Sequence, residues 1–222
     1  MQRRPEPELM DSDAQTLAYA KADFNASNSL FVGHFLERFT DLTRTGSMAD
    51  LGCGPGDITL RFARALPGWE ILGLDAGPNM LKLAAERSAT ETAPNRVTFR
   101  LSYLPDPELP ARAFDALVSN SLLHHLPDPQ TLWESITRLG VPGAAVQVMD
   151  LIRPDNEAEA HRLIDEYATD EPDILRDDFY NSLLAAYSLD EVNDQLTRAG
   201  LAHLKTEMAS DRHWIVSGTL RG

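Results

Sequence analysis

A glycine-rich stretch between a strand pattern and a helix pattern constrains this chain more than any other feature. Ser47-Met48-Ala49 has a strand's character and is followed by Asp50-Leu51-Gly52-Cys53-Gly54-Pro55-Gly56-Asp57. In residues 58–66, apolar side chains recur at helical spacing. Three alternate glycines remove side chains where a ligand could lie against the main chain, and the following helix offers N–H groups and a positive dipole end. The unit predicts a strand, a ligand-binding turn and a helix.

The spacing of the glycines separates two classes of ligand. Dinucleotide-binding turns follow G-x-G-x-x-G, whereas this turn has G-x-G-x-G, with Asp50 two residues before the first glycine. A carboxylate so close to the turn would repel a pyrophosphate and suits a ligand that carries an ammonium group. A second buried strand pattern, residues 70–75, ends in Asp75, which is 19 residues past Gly56. That position suits a carboxylate that accepts two ribose hydroxyls.

These features resemble the class I S-adenosylmethionine-dependent methyltransferases. The resemblance is carried by Asp-Leu-Gly-Cys-Gly-Pro-Gly at residues 50–56, by the strand ending in Asp75, and by the strand and turn Phe-Asp-Ala-Leu-Val-Ser-Asn-Ser-Leu-Leu-His-His-Leu at residues 114–126. It covers residues 45–150 well and the flanks loosely. It implies a Rossmann-like α/β fold: a seven-stranded, mostly parallel sheet with helices on both faces, an antiparallel last strand and a helical insertion before the sixth strand.

The domain organisation is predicted to be simple. A flexible N-terminal arm at residues 1–10 precedes a single methyltransferase domain at residues 11–222. Residues 11–44 carry the pattern of two helices, separated at residues 25–28. In the resembled family, helices before the first strand often close over the cofactor and substrate. Tyr19 is therefore a candidate substrate-binding residue, with packing of this helix on the sheet as the alternative.

Beyond the first helices, strand and helix patterns alternate up to Asp150, which favours right-handed crossovers and a parallel sheet. Residues 155–187 are acidic and helical. This insertion is expected to form a substrate lid, with a dimer surface or a packing layer as alternatives, and Tyr180 within it is a candidate substrate contact. A capping box formed by Ser188 and Glu191 begins the next helix, and two strands end the pattern.

Charge and composition restrict the partners. The 222 residues carry a formal net charge of −14. A field of this sign repels nucleic acid and anionic membrane surfaces, so a small-molecule substrate is expected, although solubility explains the charge equally well. No apolar run approaches a membrane span, residues 1–8 lack the apolar core of a signal peptide, and the single cysteine is Cys53. A cytoplasmic location is the simplest inference, and a homodimer is left open.

The resemblance implies S-adenosyl-L-methionine as cofactor, with S-adenosyl-L-homocysteine as product. Asp50 is expected to contact the methionine ammonium, Asp75 the ribose, and Asn120, at the carboxyl end of the fourth strand, the amino-acid tail. The predicted cofactor-binding residues are Asp50, Gly52, Gly54, Gly56, Asp75, Ala76, Met80, Tyr103, Leu104 and Asn120.

The adenine contacts depart from the family pattern. Many members place an aspartate just after the third strand to hold the adenine amino group. Ser102 and Tyr103 occupy the closest positions here, and Asp106 comes later. Tyr103 or Leu104 is therefore expected to contact the ring through its side chain, and Met80 to touch it, with core packing as the alternative for Met80.

The acceptor side of the site is less specified. Methyl transfer from a sulfonium is an in-line displacement, so the protein must align the reactants and exclude water, and it needs a general base only if the nucleophile arrives protonated. His124 is the candidate catalytic residue, as base or hydrogen-bond partner, with a packed histidine as the alternative. No metal is predicted, because adjacent residues such as His124 and His125 are expected to point apart and no third ligand has suitable spacing.

Arg153, just past the fifth strand, is placed to receive a substrate carboxylate or phosphate. The alternative is a surface arginine paired with Asp155 or Glu157. The predicted substrate-binding residues are thus Tyr19, His124, Arg153 and Tyr180.

The function favoured by these observations is S-adenosylmethionine-dependent methyl transfer to a small-molecule acceptor. Two alternatives stay open. A nicotinamide-dependent reductase uses a related sheet, but its G-x-G-x-x-G turn is absent here. A non-catalytic S-adenosylmethionine-binding protein would keep the pocket without turnover. The sequence does not encode whether the acceptor atom is O, N, S or C.

Overall fold

A central β-sheet organises the computed structural model, which describes residues 1–6, 11–90 and 96–222. The strands are Gly46–Leu51 (β1), Trp69–Asp75 (β2), Val97–Leu101 (β3), Phe114–Asn120 (β4), Gly140–Leu151 (β5), Lys205–Met208 (β6) and His213–Thr219 (β7). Within the described residues they form one seven-stranded sheet in the order β3-β2-β1-β4-β5-β7-β6. Neighbours are parallel except for β7, which runs antiparallel to both β5 and β6. The predicted fold class is confirmed.

Helices connect the strands and cover both faces of the sheet. They are Asp13–Lys21 (α1), Asn25–Arg38 (α2), Asp57–Ala65 (α3), Pro78–Ala89 (α4), Gln130–Leu139 (α5), Glu157–Tyr167 (α6), Asp173–Ala185 (α7) and Leu189–Arg198 (α8), with a 3-10 turn at Leu123–His125. The capping box at Ser188 and Glu191 forms as predicted. The predicted break at residues 25–28 is wrong, because the Asp23 carboxylate accepts a hydrogen bond from the Asn25 backbone N–H and α2 begins there.

Alternate residues of the central strands enter two separate cores. Met48 and Val118 pack with α2 and α3 on one face of the sheet, whereas Ala49 and Leu117 pack with α5 and α8 on the other. Trp133 of α5 is fully buried in the second core. Because side chains alternate across a strand, the parallel strands are apolar on both faces and their polar ligand-binding groups stand at the strand ends.

The segment between β5 and β6 is helical, as predicted. Helices α6 and α7 pack against each other around a small core of their own that includes Leu163 and Leu183. Helix α7 also contacts α1 and the 3-10 turn after β4. The insertion therefore lies beside the carboxyl end of β4. No helix of the described residues is long and apolar enough to cross a membrane.

Residues 1–6 lie against the domain, which differs from the flexible arm expected for residues 1–10. The Arg4 backbone N–H donates to the Leu184 carbonyl over 2.9 Å. The Arg3 guanidinium lies 4.1 Å from the centre of the Tyr187 ring and donates to the His124 carbonyl over 3.0 Å. These contacts join partners that are far apart in sequence. Residues 7–10 lie outside the described residues.

Candidate active site

The site lies at the carboxyl edge of the sheet, where β1 is flanked by β2 on one side and β4 on the other. The chain order reverses between β1 and β4, which is the position where open α/β sheets bind ligands. The turn after β1 is fixed to β2, because the N–H groups of Gly52 and Cys53 both donate to the Leu74 carbonyl, over 2.8 and 2.9 Å. The ends of three strands therefore meet around one turn.

The three glycines of the turn have positive φ angles of 74°, 51° and 79° at Gly52, Gly54 and Gly56. A Cβ on Gly54 would meet no atom within 4 Å, so this glycine leaves open space above the turn. A Cβ on Gly56 would lie 2.8 Å from the Phe99 ring. Gly56 therefore permits close packing beneath the turn and does not line the cavity, so the lining does not support its predicted cofactor contact.

A cavity of about 280 Å³ lies above the turn. It is lined by all the other predicted cofactor-binding residues: Asp50, Gly52, Gly54, Asp75, Ala76, Met80, Tyr103, Leu104 and Asn120. Tyr19 and Phe24, which belong to α1 and to the link that follows it, line the same space. The structure thus brings together residues separated by a hundred positions in the chain.

Asp75 faces the cavity with its carboxylate held by two main-chain groups. Its Oδ1 accepts from the Gly77 N–H over 2.7 Å and its Oδ2 from the Gly54 N–H over 2.8 Å. Burial raises the pKa of this carboxyl above its ordinary value, and these backbone hydrogen bonds oppose the shift. Each oxygen keeps further acceptor capacity. The arrangement fits a vicinal diol such as a ribose.

Asp50 is 1% exposed and borders the same cavity. Its Oδ2 accepts from the Thr59 hydroxyl over 2.6 Å. Burial raises the pKa of Asp50 to about 7, the Thr59 hydrogen bond opposes this shift, and the nearby charge of Asp75 adds to it. An ammonium group placed in the cavity would favour the ionised form of Asp50.

Besides the two carboxylates, Asn120 supplies a polar group to the cavity. Its Oδ1 is buried and makes no hydrogen bond to any described residue. Buried acceptors of this kind normally have a partner, so a donor from a ligand would satisfy it. Together with the open space above Gly54 and the two carboxylates, this orphaned oxygen shows that the residues fit an S-adenosylmethionine molecule.

The outer end of the cavity is more apolar. Leu104 and the largely buried Met80 form walls, and Tyr103, which is 59% exposed, stands at the mouth. Asp106 does not line the cavity, because its carboxylate accepts from the Ser102 hydroxyl over 2.9 Å and pairs with Arg100. Asp106 is therefore not placed to hold an adenine amino group in this cavity.

A second cavity, of about 200 Å³, adjoins the first. The two share the side chains of Tyr19, Phe24, Asn28, Asn120 and His125. The second is closed by the helical insertion and by the start of β7, through Leu175, Asp178, Phe179, Ser182, Arg212 and His213. A molecule in the second cavity would therefore meet one in the first beside Asn120.

His124 borders the second cavity with its ring almost fully buried. Its Nδ1 donates to Asp150 Oδ1 over 2.5 Å, and its Nε2 lies 3.4 Å from Glu6 Oε1. Burial lowers the pKa of His124, but the charge and hydrogen bond of Asp150 and the charge of Glu6 outweigh it and raise the pKa above its usual value. The ring is thus oriented by carboxylates on both sides.

Glu6 and His125 were not predicted as site residues. Glu6 Oε1 lies 3.3 Å from His125 Nδ1 and accepts from the Ser182 hydroxyl over 3.1 Å. The His124 and His125 rings lie 4.1 Å apart, tilted by 37°, so these adjacent side chains do not point apart as expected. They converge because the chain turns sharply after β4 and both rings approach one carboxylate. The His-His pair was the available signal for His125, whereas no local pattern marks Glu6.

Two predicted substrate contacts lie outside both cavities. Arg153 Nη1 pairs with Glu191 Oε2 over 2.9 Å, so this arginine binds the first turn of α8 instead of a substrate. Tyr180 stacks on His161, with ring centres 5.0 Å apart. Its neighbour Phe179 lines the second cavity instead. Partner side chains from other elements hold both groups away from the two cavities, so the lining does not support these two predicted contacts.

Comparison with known proteins shows which proteins this chain is similar to. Residues 49–146 match a family described as a methyltransferase domain. The chain is 38% identical to a trans-aconitate 2-methyltransferase of Methylobacterium radiotolerans over 124 residues, which cover 55% of this chain and 44% of that protein. It is 32% identical to the trans-aconitate 2-methyltransferase of Mycobacterium tuberculosis over 148 residues, 64% of this chain and 52% of the relative. The chain thus spans about half the length of the curated relatives it matches.

Solved structures share the fold. A SAM-dependent methyltransferase from Aquifex aeolicus superposes with a TM-score of 0.69 at 16% identity, covering 92% of this chain and 97% of that one. Phosphoethanolamine N-methyltransferase 2 of Haemonchus contortus gives 0.69 at 18% identity, covering 95% and 57%. The sheet order and the site at its carboxyl edge define a Rossmann-like methyltransferase fold. The chain therefore has the fold of the S-adenosylmethionine-dependent methyltransferases, and its residues 49–146 are similar to the methyltransferase-domain family.

Proposed function

We propose that this chain transfers the methyl group of S-adenosylmethionine to a small molecule bound in the second cavity. The observation that carries the proposal is the junction of the two cavities at Asn120 and His125. One cavity fits the cofactor and the other is closed mainly by the helical insertion. The alternative of a nicotinamide-dependent reductase gains no support from the relatives.

The cofactor, when bound, supplies an activated methyl group on a sulfonium. Three groups of this chain would bind and orient it. Asp50 would receive the ammonium, Asp75 the ribose hydroxyls, and the backbone at Gly52 and Gly54 would lie against the amino-acid portion. Support comes from the burial of both carboxylates and from the missing side chain at Gly54.

The acceptor would be held in line by groups at the junction. Tyr19 and Phe24 pack with ring centres 4.5 Å apart and face both cavities, so they would shield the reaction from water. Burial raises the pKa of Tyr19 to about 12, which leaves its hydroxyl neutral and able to donate. His124, oriented by Asp150, is proposed to hydrogen-bond or deprotonate the acceptor. The chemistry then rests mainly on alignment and exclusion of water.

The lining of the second cavity argues against a tricarboxylate acceptor such as trans-aconitate. Among the described lining residues Arg212 is the one Arg or Lys, and it lies over the Tyr167 ring and next to Asp211. Asp178 and Glu171 line the same space. One arginine against these acids would bind three carboxylates poorly. We expect no turnover of trans-aconitate under conditions in which a neutral or amine-bearing acceptor is methylated, as measured by S-adenosylhomocysteine release.

We also propose that the protein is cytoplasmic and that its substrate is not a nucleic acid. The single cysteine and the net charge of −14 support these two statements. A homodimer stays a prediction, and sedimentation velocity on the purified chain would measure it.

Two measurements test the function. Isothermal titration with S-adenosylhomocysteine should show saturable binding to one site per chain, and the absence of binding by both it and S-adenosylmethionine would end the proposal. Transfer of labelled methyl groups into a small-molecule extract should then depend on intact protein. Binding without any transfer would favour the non-catalytic alternative.

A further inference from the structure

Three side chains at the inner wall of the second cavity converge in a way that methyl transfer alone does not require. One ligand-type atom each from Glu6, His124 and His125 lies within 4.8 Å of the other two. All three side chains are mostly buried. Both histidines border the second cavity, so the space beside the cluster is open on the acceptor side.

The spacing within the cluster suits an ion better than direct pairing. Glu6 Oε1 lies 3.4 Å from His124 Nε2 and 3.3 Å from His125 Nδ1. Charge-assisted N–H···O hydrogen bonds are shorter, at about 2.7–2.9 Å. Ligand atoms at about 2.0–2.1 Å from a tetrahedral zinc ion lie roughly 3.3–3.4 Å from one another. Both separations match an edge of such a tetrahedron.

The surroundings also resemble those of metal ligands. His124 uses its other ring nitrogen, Nδ1, to bind Asp150 over 2.5 Å, which fixes the ring with Nε2 directed at the cluster. Glu6 accepts from the Ser182 hydroxyl over 3.1 Å. Carboxylates that orient ligating histidines, and hydrogen bonds that hold ligating carboxylates, are the usual supports of protein metal sites.

We infer that Glu6, His124 and His125 form a binding site for a divalent transition-metal ion, of the zinc type, with one coordination position open to the second cavity. Two histidines and one glutamate with an open fourth position are the ligand set of several catalytic zinc sites. The metal site stands apart from the proposed function. Its use, which rests on that function, would be to hold an acceptor hydroxyl or thiol and lower its pKa beside the cofactor. With an ion bound, His124 Nε2 would be a ligand and would not also act as the base.

Titration of tag-free, EDTA-treated protein with Zn²⁺ and Co²⁺ tests the site. We expect one ion per chain by calorimetry and, for Co²⁺, the strong visible absorption of a four-coordinate centre. Glu6→Gln and His125→Ala should each weaken Co²⁺ binding by roughly tenfold or more. Asp150→Asn should weaken it by about 10–100-fold through loss of the orienting hydrogen bond. His203→Ala, at a histidine outside the cluster that bonds the Thr219 carbonyl, should leave it unchanged.

Thermal unfolding of each variant without metal separates loss of the site from loss of the fold, and Glu6→Gln decides if His125→Ala does not fold. A wild-type chain that binds neither ion, or equal Co²⁺ binding by wild type, Glu6→Gln and His125→Ala, would overturn the inference. Titration of EDTA-treated protein with S-adenosylhomocysteine keeps this result separate from the proposed function, because cofactor affinity should persist without metal.

Discussion

Asp50 has a pKa raised to about 7 by burial, so its charge changes within the range in which cofactor binding is measured. Below that pH the carboxyl is protonated in the free protein and must lose its proton to pair with an ammonium. The dissociation constant for S-adenosylhomocysteine should therefore rise by up to about tenfold for each pH unit below 7 and be flat above it.

Asp50→Asn is the matched test, because it keeps the shape of the side chain and removes its titration. We expect affinity at high pH to fall by about 10–100-fold, as for loss of a charged hydrogen bond, and the pH profile to flatten. Calorimetry from about pH 5.5 to about pH 8 measures both. A variant that keeps the wild-type slope would show that another group carries the pH dependence.

A second prediction for a single residue concerns Gly54, where the strain of the backbone conformation and the need for open space can be tested separately. Its φ of 51° strains any other residue, and a Cβ there would project into the cofactor cavity. Gly143 has a φ of 86° and equally open space, but it lies away from both cavities. Gly54→Ala and Gly143→Ala should each cost about 1–2 kcal/mol of unfolding free energy.

The two glycine variants should differ in binding. Gly54→Ala should lower affinity for S-adenosylhomocysteine by roughly tenfold or more, because the methyl group occupies space against which the ligand lies. Gly143→Ala should match wild type. Urea unfolding and calorimetry measure the two effects, and equal binding by both variants would contradict a cofactor position above Gly54.

At the scale of elements, local sequence patterns predicted most of the helices and strands, whereas the number of strands and the antiparallel end of the sheet were implied by the family resemblance. The capping box at Ser188 and the apolar run of β4 each act over a few residues, so they are readable without tertiary context. The side chains that face the cavities were harder to predict, because contacts with residues distant in sequence determine their orientation. Arg153 pairs with Glu191, and Glu6 lies beside His124 although the two are 118 positions apart in the chain.

In helix α7, too, the sequence pattern does not show which side chain faces the second cavity. Substitutions at two adjacent positions can test the orientation that the structure gives. Phe179 lines the second cavity and Tyr180 stacks on His161, since neighbouring helical residues point about 100° apart. Phe179→Ala should raise the KM for the acceptor by about tenfold, through lost apolar contact, without changing S-adenosylhomocysteine affinity. Tyr180→Ala should leave both unchanged. Steady-state kinetics with the acceptor decides whether the insertion contacts it, and reversed effects would contradict this orientation of α7.

For the whole molecule, the net charge of −14 acts on every ligand that approaches the site. S-adenosylmethionine carries a net positive charge at neutral pH because of its sulfonium, whereas S-adenosylhomocysteine is net neutral. A negative field, together with Asp50 and Asp75 at the cavity, should favour the charged cofactor over its product. Salt screens such interactions over a Debye length of about 10 Å at 0.1 M.

We therefore expect the affinity for S-adenosylmethionine to fall several-fold as salt rises from about 0.05 M to about 0.5 M, while that for S-adenosylhomocysteine changes less than about twofold. Calorimetric titrations of both ligands across that range measure the ratio. Because the two molecules differ mainly at the sulfur, the comparison cancels effects of salt on the fold. Equal salt dependence of the two ligands would mean that the field of the whole chain does not reach the sulfonium, and that local contacts alone distinguish cofactor from product.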